Sequence, residues 1–258
     1  MRVLLVNPNT TVAMTESIAT CARRYARADT EIAALNPTKG PVSIEGYFDE
    51  AIATEAVLEL LIRHRGCFDA YIIGCFGDPG LFAAREIMTA PVIGMAEAAM
   101  LTACTLGYRF AILDVMKRTW PQMEDLLMRY GLQRRCVSVR AVEMPVLETE
   151  SKSERVRARL IAAGRKALEE DRAEVLLLGC AGMSGLDKDM EKVLGVPVLD
   201  GVVCAVKMAE GLVDYQAFTS KINAFKPPEL KEFRNCSDAI ATIGKGRRHA
   251  RIESKEED

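Results

Sequence analysis

Short apolar runs alternate along the chain with longer segments in which apolar residues recur at helical spacing. The runs Val3 to Val6 and Val175 to Leu178 have the length of buried strands. The helical pattern covers residues 12–27, 49–63, 95–106, 117–130, 150–171, 201–212 and 215–224. This alternation is typical of α/β proteins, in which helices cover the faces of a mostly parallel sheet.

Three strand-sized patterns occur twice, in the same order. The matched segments are residues 2–7 with 109–114, 69–75 with 173–180, and 90–94 with 196–200. Their offsets of 105 to 107 residues indicate an internal duplication. We therefore predict an α/β protein of two pseudo-symmetric domains, each a mostly parallel sheet flanked by helices, with the active site in the cleft between them.

The duplication also predicts where the domains begin and end. The first domain is expected to comprise residues 1–97 and about 206–225, and the second to comprise residues 98–205. A peripheral tail follows over residues 226–258. Its highly charged end is expected to be disordered, because it has too few apolar residues to bury.

Cys75 and Cys180 stand at matched positions, each after an apolar strand and a glycine and before a glycine-containing turn. Ligands of open parallel sheets collect at the carboxyl ends of the strands, so both thiols are expected to face one cleft from opposite sides. Inversion of an acidic carbon requires removal of a proton from one face and delivery of a proton to the other. A thiolate and a thiol can share that task, and backbone N–H groups in the turns are expected to lower the thiol pKa.

Composition narrows the remaining chemistry. The cysteines have no CxxC spacing and the only histidines are His64 and His249, so we expect neither a metal site nor a cofactor. A formal net charge of -2 provides no basic surface for nucleic acid, and the basic cluster at residues 245–251 is typical of a solvated end. No apolar run approaches the roughly 20 residues of a membrane span, and no signal peptide is evident, so we expect a cytoplasmic protein.

Four further features are candidates for contact with a substrate. Ser43 and Ile44 lie in a Gly-Pro loop that either closes over the cleft or simply turns the chain. Arg118 follows a duplicated strand end, where a cation can hold a polar substrate or merely begin a helix. Asp78 either caps the next helix or contacts the substrate, and Asn9 is as compatible with capping as with ligand contact.

Several of these segments together resemble hydantoin racemases, within the aspartate/glutamate racemase superfamily. The segments are Asn7-Pro8-Asn9-Thr10, Gly40-Pro41-Val42-Ser43-Ile44-Glu45, Gly74-Cys75-Phe76-Gly77-Asp78-Pro79-Gly80-Leu81, Leu178-Gly179-Cys180-Ala181-Gly182-Met183 and Val196-Pro197-Val198-Leu199-Asp200-Gly201. Each is short, but their order and spacing are specific, and the similarity covers roughly residues 1–225.

The resemblance implies a self-associating, two-domain enzyme that needs no cofactor and inverts the C5 centre of 5-substituted hydantoins. It implies that Cys75 and Cys180 are the acid and base. The substrate contacts that it implies are Asn7, Phe76, Gly77, Ala181 and Gly182, with Ser43 and Ile44 as further walls of the pocket. Glutamate-type racemases carry hydroxyl residues and a histidine beside their cysteines. Because this chain does not, a neutral, flat ring is expected rather than an amino-acid carboxylate.

One position departs from the expected pattern. Asp114 stands where a small hydroxyl residue is expected, and a carboxylate there can accept a ring N–H or repel an anion.

Other functions fit the same pattern. Allantoin racemase shares the architecture, and relatives of maleate cis-trans isomerase or arylmalonate decarboxylase use cysteine at related positions. A non-catalytic protein that binds a small molecule would also use the cleft, with incidental thiols. A redox protein would join Cys75 and Cys180 in a disulfide. Product assays and thiol titration separate these alternatives.

Overall fold

A computed structural model describes residues 1–245 and contains two four-stranded sheets in which every pair of neighbouring strands is parallel. The strands are β1 (Arg2–Val6), β2 (Glu31–Leu35), β3 (Ala70–Ile73) and β4 (Val92–Gly94) in the first sheet, and β5 (Phe110–Asp114), β6 (Cys136–Ala141), β7 (Val175–Leu178) and β8 (Val198–Asp200) in the second. The spatial orders, β2-β1-β3-β4 and β6-β5-β7-β8, are equivalent. The predicted α/β class with two pseudo-symmetric halves is confirmed.

Helices cover both sheets. Those within residues 1–245 are α1 (Val12–Tyr25), α2 (Tyr47–Arg63), α3 (Leu81–Ile87), α4 (Met95–Leu106), α5 (Trp120–Tyr130), α6 (Val146–Thr149), α7 (Glu154–Glu169), α8 (Asp187–Leu194), α9 (Gly201–Asp214) and α10 (Asp238–Gly244). Among these residues, no helix has both the length and the apolar character needed to cross a membrane.

The helix predicted over residues 215–224 is wrong. The segment runs along the edge of the first half instead, and Thr219 pairs with the chain that leads into β4. Its backbone N–H donates to Thr89 O at 2.8 Å and its hydroxyl donates to Ala90 O at 3.1 Å. Tertiary hydrogen bonds thus replace those of a local helix, and only a short 3-10 turn forms at Asn223–Phe225.

One buried core lies between the sheets and joins them. It contains Leu5 and Ile72 from the first sheet together with Ile112 and Leu177 from the second. Helix α4 packs against α9 in this core, and α9 also contacts α1, β3 and β4. Strands covered on both faces need apolar side chains at every position, which explains the unbroken apolar runs in the sequence. The exact limits of the two domains stay a prediction.

The described part of the tail is packed against the first half. Helix α10 contacts α2, and Ala239, Ile240 and Ile243 join the apolar cluster there. Ser237 caps α10 by accepting a hydrogen bond from the Ile240 N–H. The predicted disorder at the charged end and the basic cluster after Lys245 lie outside the described residues.

Candidate active site

Each of the two duplicated cysteines follows a central strand through one glycine. The N–H of Gly74 donates to Val6 O at 2.8 Å, and the N–H of Gly179 donates to Leu113 O at 2.9 Å. A Cβ atom would lie 3.3 Å from the same Val6 oxygen at Gly74, and 2.9 Å from the Leu113 oxygen at Gly179. A side chain at Gly179 would collide with the paired strand, and one at Gly74 would be tightly crowded, which is consistent with the repeated Gly-Cys sequence.

Cys75 and Cys180 line one cavity at the carboxyl ends of both sheets. Its apolar lining residues are Met14, Ile44, Phe76, Val115, Met123, Val146 and Ala181. Its polar lining residues are Asn9, Glu50, Asp114, Thr119 and Gln122, and Gly74, Gly77 and Gly179 complete it. Both halves of the chain contribute, so the duplicated strand ends converge as the sequence pattern predicts. All eight cysteines, which lie within residues 1–245, are free thiols.

Desolvation favours the protonated form of both thiols. Burial raises the pKa of Cys75 to about 12, although a hydrogen bond with the backbone of Gly77 lowers it. Burial raises the pKa of Cys180 to about 11, against the lowering effects of the Gly182 backbone and the Thr149 hydroxyl. The expected backbone donors are therefore present, but the expected net lowering of the pKa is wrong because desolvation outweighs them.

Thr149 is the side chain partner of Cys180. Its buried hydroxyl oxygen lies 3.9 Å from Cys180 Sγ and 2.6 Å from Val146 O. Gly182 makes this approach possible, because a Cβ atom on it would lie 2.2 Å from the Thr149 hydroxyl oxygen. Gly182 is therefore placed behind the cysteine rather than among the residues that line the cavity.

Asp114 is a buried carboxylate in the cavity wall. It accepts hydrogen bonds from the Val115 N–H at 2.7 Å and from the Thr119 hydroxyl at 2.6 Å. Burial raises its pKa to about 6, and these two donors oppose the shift. The unexpected acid thus presents a hydrogen-bond acceptor on the side of Cys180, whose pKa its charge raises.

Asn7, the counterpart of Asp114 in the first half, has a different position. Its side chain is fully buried and its amide donates to Asn9 Oδ1 at 2.9 Å and to Thr15 Oγ1 at 3.0 Å. It supports the loop from behind, and Asn9 is the residue that lines the cavity.

The other predicted contacts divide into two groups. Ile44, Phe76, Gly77 and Ala181 line the cavity. Ser43 and Arg118 do not: the Ser43 hydroxyl donates to Glu45, and the Arg118 guanidinium lies against Gly46, where a Cβ atom would be 2.9 Å from Nη2. Packing at the loop thus places both polar side chains away from the cavity wall.

Asp78 is a helix cap, but of α4 rather than of the helix that follows it. Its carboxylate accepts the N–H groups of Ala96 and Glu97, each at 2.9 Å, and the Tyr130 hydroxyl at 2.7 Å. Its backbone has a φ of 47°, a value that few residues other than glycine adopt. These contacts hold the turn after Cys75 in place.

Glu50 and Gln122 also line the cavity, and neither is predicted from the sequence. Glu50 lies on α2 and Gln122 on α5, and Gln122 Nε2 donates to Glu50 Oε2 at 2.6 Å. Burial raises the pKa of Glu50, and the hydrogen bond from Gln122 opposes that shift. Nothing in the sequence marks the pair, because the two side chains meet only when the helices of both halves come together.

Comparisons with known proteins agree with this geometry. The sequence profile of the family described as Asp/Glu/Hydantoin racemase matches residues 3–209. A hydantoin racemase from Pseudomonas sp. (strain NS671) is 45% identical over 90% of this chain and 94% of its own length. A hydantoin racemase from Rhizobium meliloti is 44% identical over 90% of this chain and 96% of its own.

A solved structure supports the same assignment. Allantoin racemase from Klebsiella pneumoniae superposes with a TM-score of 0.89 at 42% identity, over 94% of this chain and 98% of that one. Sequence profile, relatives and structure therefore agree, and the chain belongs to the Asp/Glu/Hydantoin racemase family and is a racemase.

Proposed function

We propose that this racemase inverts the C5 centre of 5-substituted hydantoins by proton transfer through Cys75 and Cys180, without a cofactor. The observation that carries the proposal is the cavity itself. Two thiols at duplicated strand ends line it together, and its lining within residues 1–245 includes the carboxylates of Glu50 and Asp114 but no Lys, Arg or His.

The chemistry needs one thiolate and one thiol. The thiolate removes the C5 proton and becomes a thiol, and the electron pair spreads into the neighbouring ring carbonyl. The opposite thiol then donates its proton to the other face of C5 and becomes the thiolate, so the enzyme is ready for the other enantiomer. The pKa values of Cys75 and Cys180, about 12 and about 11, are similar, so transfer in either direction has a comparable cost.

The high pKa values suit a weakly acidic carbon. A thiolate that forms in a desolvated pocket is a stronger base than one in water, although less of it is present at neutral pH. Backbone N–H groups of Gly77 and Gly182 stabilise each thiolate as it forms. This arrangement supplies a base and an acid from two identical side chains.

Electrostatics favour a neutral ring as substrate. An aspartate or glutamate would bring carboxylates next to Glu50 and Asp114 with no cation in the lining to compensate them. A hydantoin ring carries N–H groups, which match acceptors such as Asp114. The names of the hydantoin racemases at 44% and 45% identity support the same substrate class.

Allantoin, a hydantoin with a ureido group on C5, is the second candidate. The 42% identity to the Klebsiella pneumoniae allantoin racemase supports this candidate, and so does the number of hydrogen-bond acceptors in the cavity lining. A pocket for 5-alkyl hydantoins would need fewer of them.

Circular dichroism in deuterated buffer tests the proposal. Both enantiomers of 5-benzylhydantoin and of allantoin are incubated with the reduced enzyme, and enzyme-free samples measure spontaneous racemisation. We expect loss of optical activity from both enantiomers of at least one compound, with one deuterium incorporated at C5. No change above the enzyme-free rate in any sample would contradict the proposal and favour an isomerase or a binding protein.

A further inference from the structure

We propose that Glu50 and Gln122 form the subsite for the 5-substituent and select substituents that donate hydrogen bonds over alkyl or aryl ones. The inference rests on the proposed hydantoin function and specifies which hydantoins the enzyme prefers. It assigns a role to two residues that neither the sequence pattern nor the two-thiol chemistry requires.

Glu50 and Gln122 border the cavity on the side of Cys75. Glu50 Oε2 lies 3.9 Å from the place where a Cβ atom on Gly77 would stand, so the carboxylate borders the turn that follows Cys75. Gln122 is only 5% exposed and comes from the other half of the chain. The pair therefore borders the cavity from both halves, next to the turn that follows Cys75.

Each side chain of the pair keeps an oxygen that can accept a further hydrogen bond. The contact between Gln122 Nε2 and Glu50 Oε2 leaves one oxygen on each side chain, Glu50 Oε1 and Gln122 Oε1, with no hydrogen-bond partner among residues 1–245. Both oxygens are acceptors when Glu50 is ionised, so the pair presents two acceptors together with the second N–H of the Gln122 amide. A group with two or more N–H donors, such as a ureido, would satisfy them.

The two carboxylates that line the cavity act on different cysteines. The negative charge of Glu50 raises the pKa of Cys75, whereas that of Asp114 raises the pKa of Cys180, so the two acids border different thiols. Asp114 already accepts two hydrogen bonds within its own loop, and its carboxylate can accept one more from a ring N–H. The unpaired acceptors of the Glu50 pair are left for the substituent.

An apolar substituent is penalised at such a site. It would displace water from the two acceptors without replacing the lost hydrogen bonds, and sites built to pair a polar group reject analogues that lack it. The expected preference is for allantoin over 5-isobutylhydantoin, a compound with an apolar branched substituent.

The test is the ratio of kcat/KM for allantoin to kcat/KM for 5-isobutylhydantoin. The ratio cancels any effect on Cys75 that both substrates share. We expect Glu50→Leu to lower the ratio at least about tenfold, and Glu50→Gln, which keeps the shape and loses the charge, to lower it less. Glu55→Leu is the matched control, because Glu55 is exposed on the same helix and does not line the cavity. Its ratio should equal that of the wild type.

A ratio within twofold of wild type in both Glu50 variants would overturn the inference while leaving the hydantoin function intact. If thermal unfolding shows that Glu50→Leu does not fold, the single variants Glu50→Gln and Gln122→Leu take its place. Unchanged kcat/KM ratios in both of these variants would overturn the inference. Failure of the hydantoin function itself has a different signature, because the wild-type enzyme would then racemise neither compound.

Discussion

The carboxylate of Asp78 occupies the space that a side chain at Gly94 would need. A Cβ atom at Gly94 would lie 2.4 Å from Asp78 Cγ. From this position Asp78 accepts the N–H groups of Ala96 and Glu97 in the first turn of α4, which otherwise have no partner within the helix. Because Gly94 at the end of β4 has no side chain, the Asp78 carboxylate fits there and holds the turn after Cys75 in place.

The second half makes the same connection in the opposite direction. Asp200 stands at the position that matches Gly94, and its carboxylate reaches back to the turn after Cys180, where it accepts the Gly185 N–H at 2.8 Å. It also caps α9 by accepting the Val202 N–H at 2.8 Å. In each half, one carboxylate connects the turn after the cysteine to a helix, α4 in the first half and α9 in the second. In the first half the carboxylate, Asp78, belongs to the turn, whereas in the second half the carboxylate, Asp200, precedes the helix.

Gly94→Ala tests the first of these connections. The new methyl group would collide with Asp78, and we expect a loss of about 1–3 kcal/mol in the free energy of unfolding, typical of overpacking. Racemase activity should fall as well, because the turn after Cys75 must move. Gly211→Ala is the control: a Cβ atom there meets nothing within 4 Å, so helix propensity should stabilise the protein by up to about 1 kcal/mol. Denaturant unfolding measures both, and equal stabilities would contradict the prediction.

Cys75→Ser and Cys180→Ser test the proton carriers. A serine hydroxyl is a much weaker acid than a thiol, so we expect racemisation to fall about 10²- to 10⁴-fold in each variant. At least one variant should still exchange the C5 proton of one enantiomer, because one thiol remains on one face. Deuterium incorporation measured for each enantiomer separately detects this. Cys67→Ser, an exposed cysteine outside the cavity, should behave like the wild type, and near-normal turnover in both active-site variants would refute the two-thiol mechanism.

The pH dependence of Cys75 alkylation tests the desolvation of the site. A free thiol ionises near pH 8.5, so its reaction with iodoacetamide levels off above that pH. Burial raises the pKa of Cys75 to about 12, so its alkylation should keep rising by nearly tenfold per pH unit from pH 7 to pH 10. Mass spectrometry of the Cys75 peptide follows the reaction, with glutathione as the reference, and a plateau below pH 9 would contradict the raised pKa of this thiol.

Thiol burial also predicts how stability depends on pH. Unfolded thiols ionise near pH 8.5, whereas Cys75 and Cys180 in the folded protein keep their protons until about pH 12 and about pH 11. Because the folded state binds more protons above pH 8.5, its free energy of unfolding should decrease as pH rises beyond that value. Unfolding at pH 8 and pH 10 measures this, and Cys75→Ser should reduce the difference. A Cys75→Ser variant with the full wild-type loss would contradict the assignment.

Glu45 joins the two loops that place Ile44 and Val146 in the cavity wall. Its Oε1 accepts the Val146 N–H at 3.1 Å and the Ser43 hydroxyl at 3.2 Å. Loss of this contact in Glu45→Ala should raise KM for every hydantoin by about fivefold, since one hydrogen bond contributes about 1 kcal/mol. The ratio between allantoin and 5-isobutylhydantoin should not change, in contrast to the Glu50 variants. Steady-state kinetics beside Glu55→Ala decides, and an unaltered KM would show that the loops hold their positions independently.

The layers of the fold and the internal duplication are visible in the sequence. Strands covered on both faces require unbroken apolar runs, as in β1 and β7, and the close approach of paired strands favours glycine at Gly74 and Gly179. Such constraints act locally, so they are visible in the chain. They were sufficient to predict the fold class and the convergence of Cys75 and Cys180 on one cavity.

The polar lining of the cavity depends on contacts between distant segments of the chain. Gln122 and Glu50 lie on helices from different halves, and no local pattern indicates that they face each other. Asn7 occupies a strand end equivalent to that of Asp114, yet packing turns it away from the cavity. The thiol pKa values depend in the same way on depth of burial, because desolvation by distant parts of the chain outweighs the donors in each cysteine's own turn.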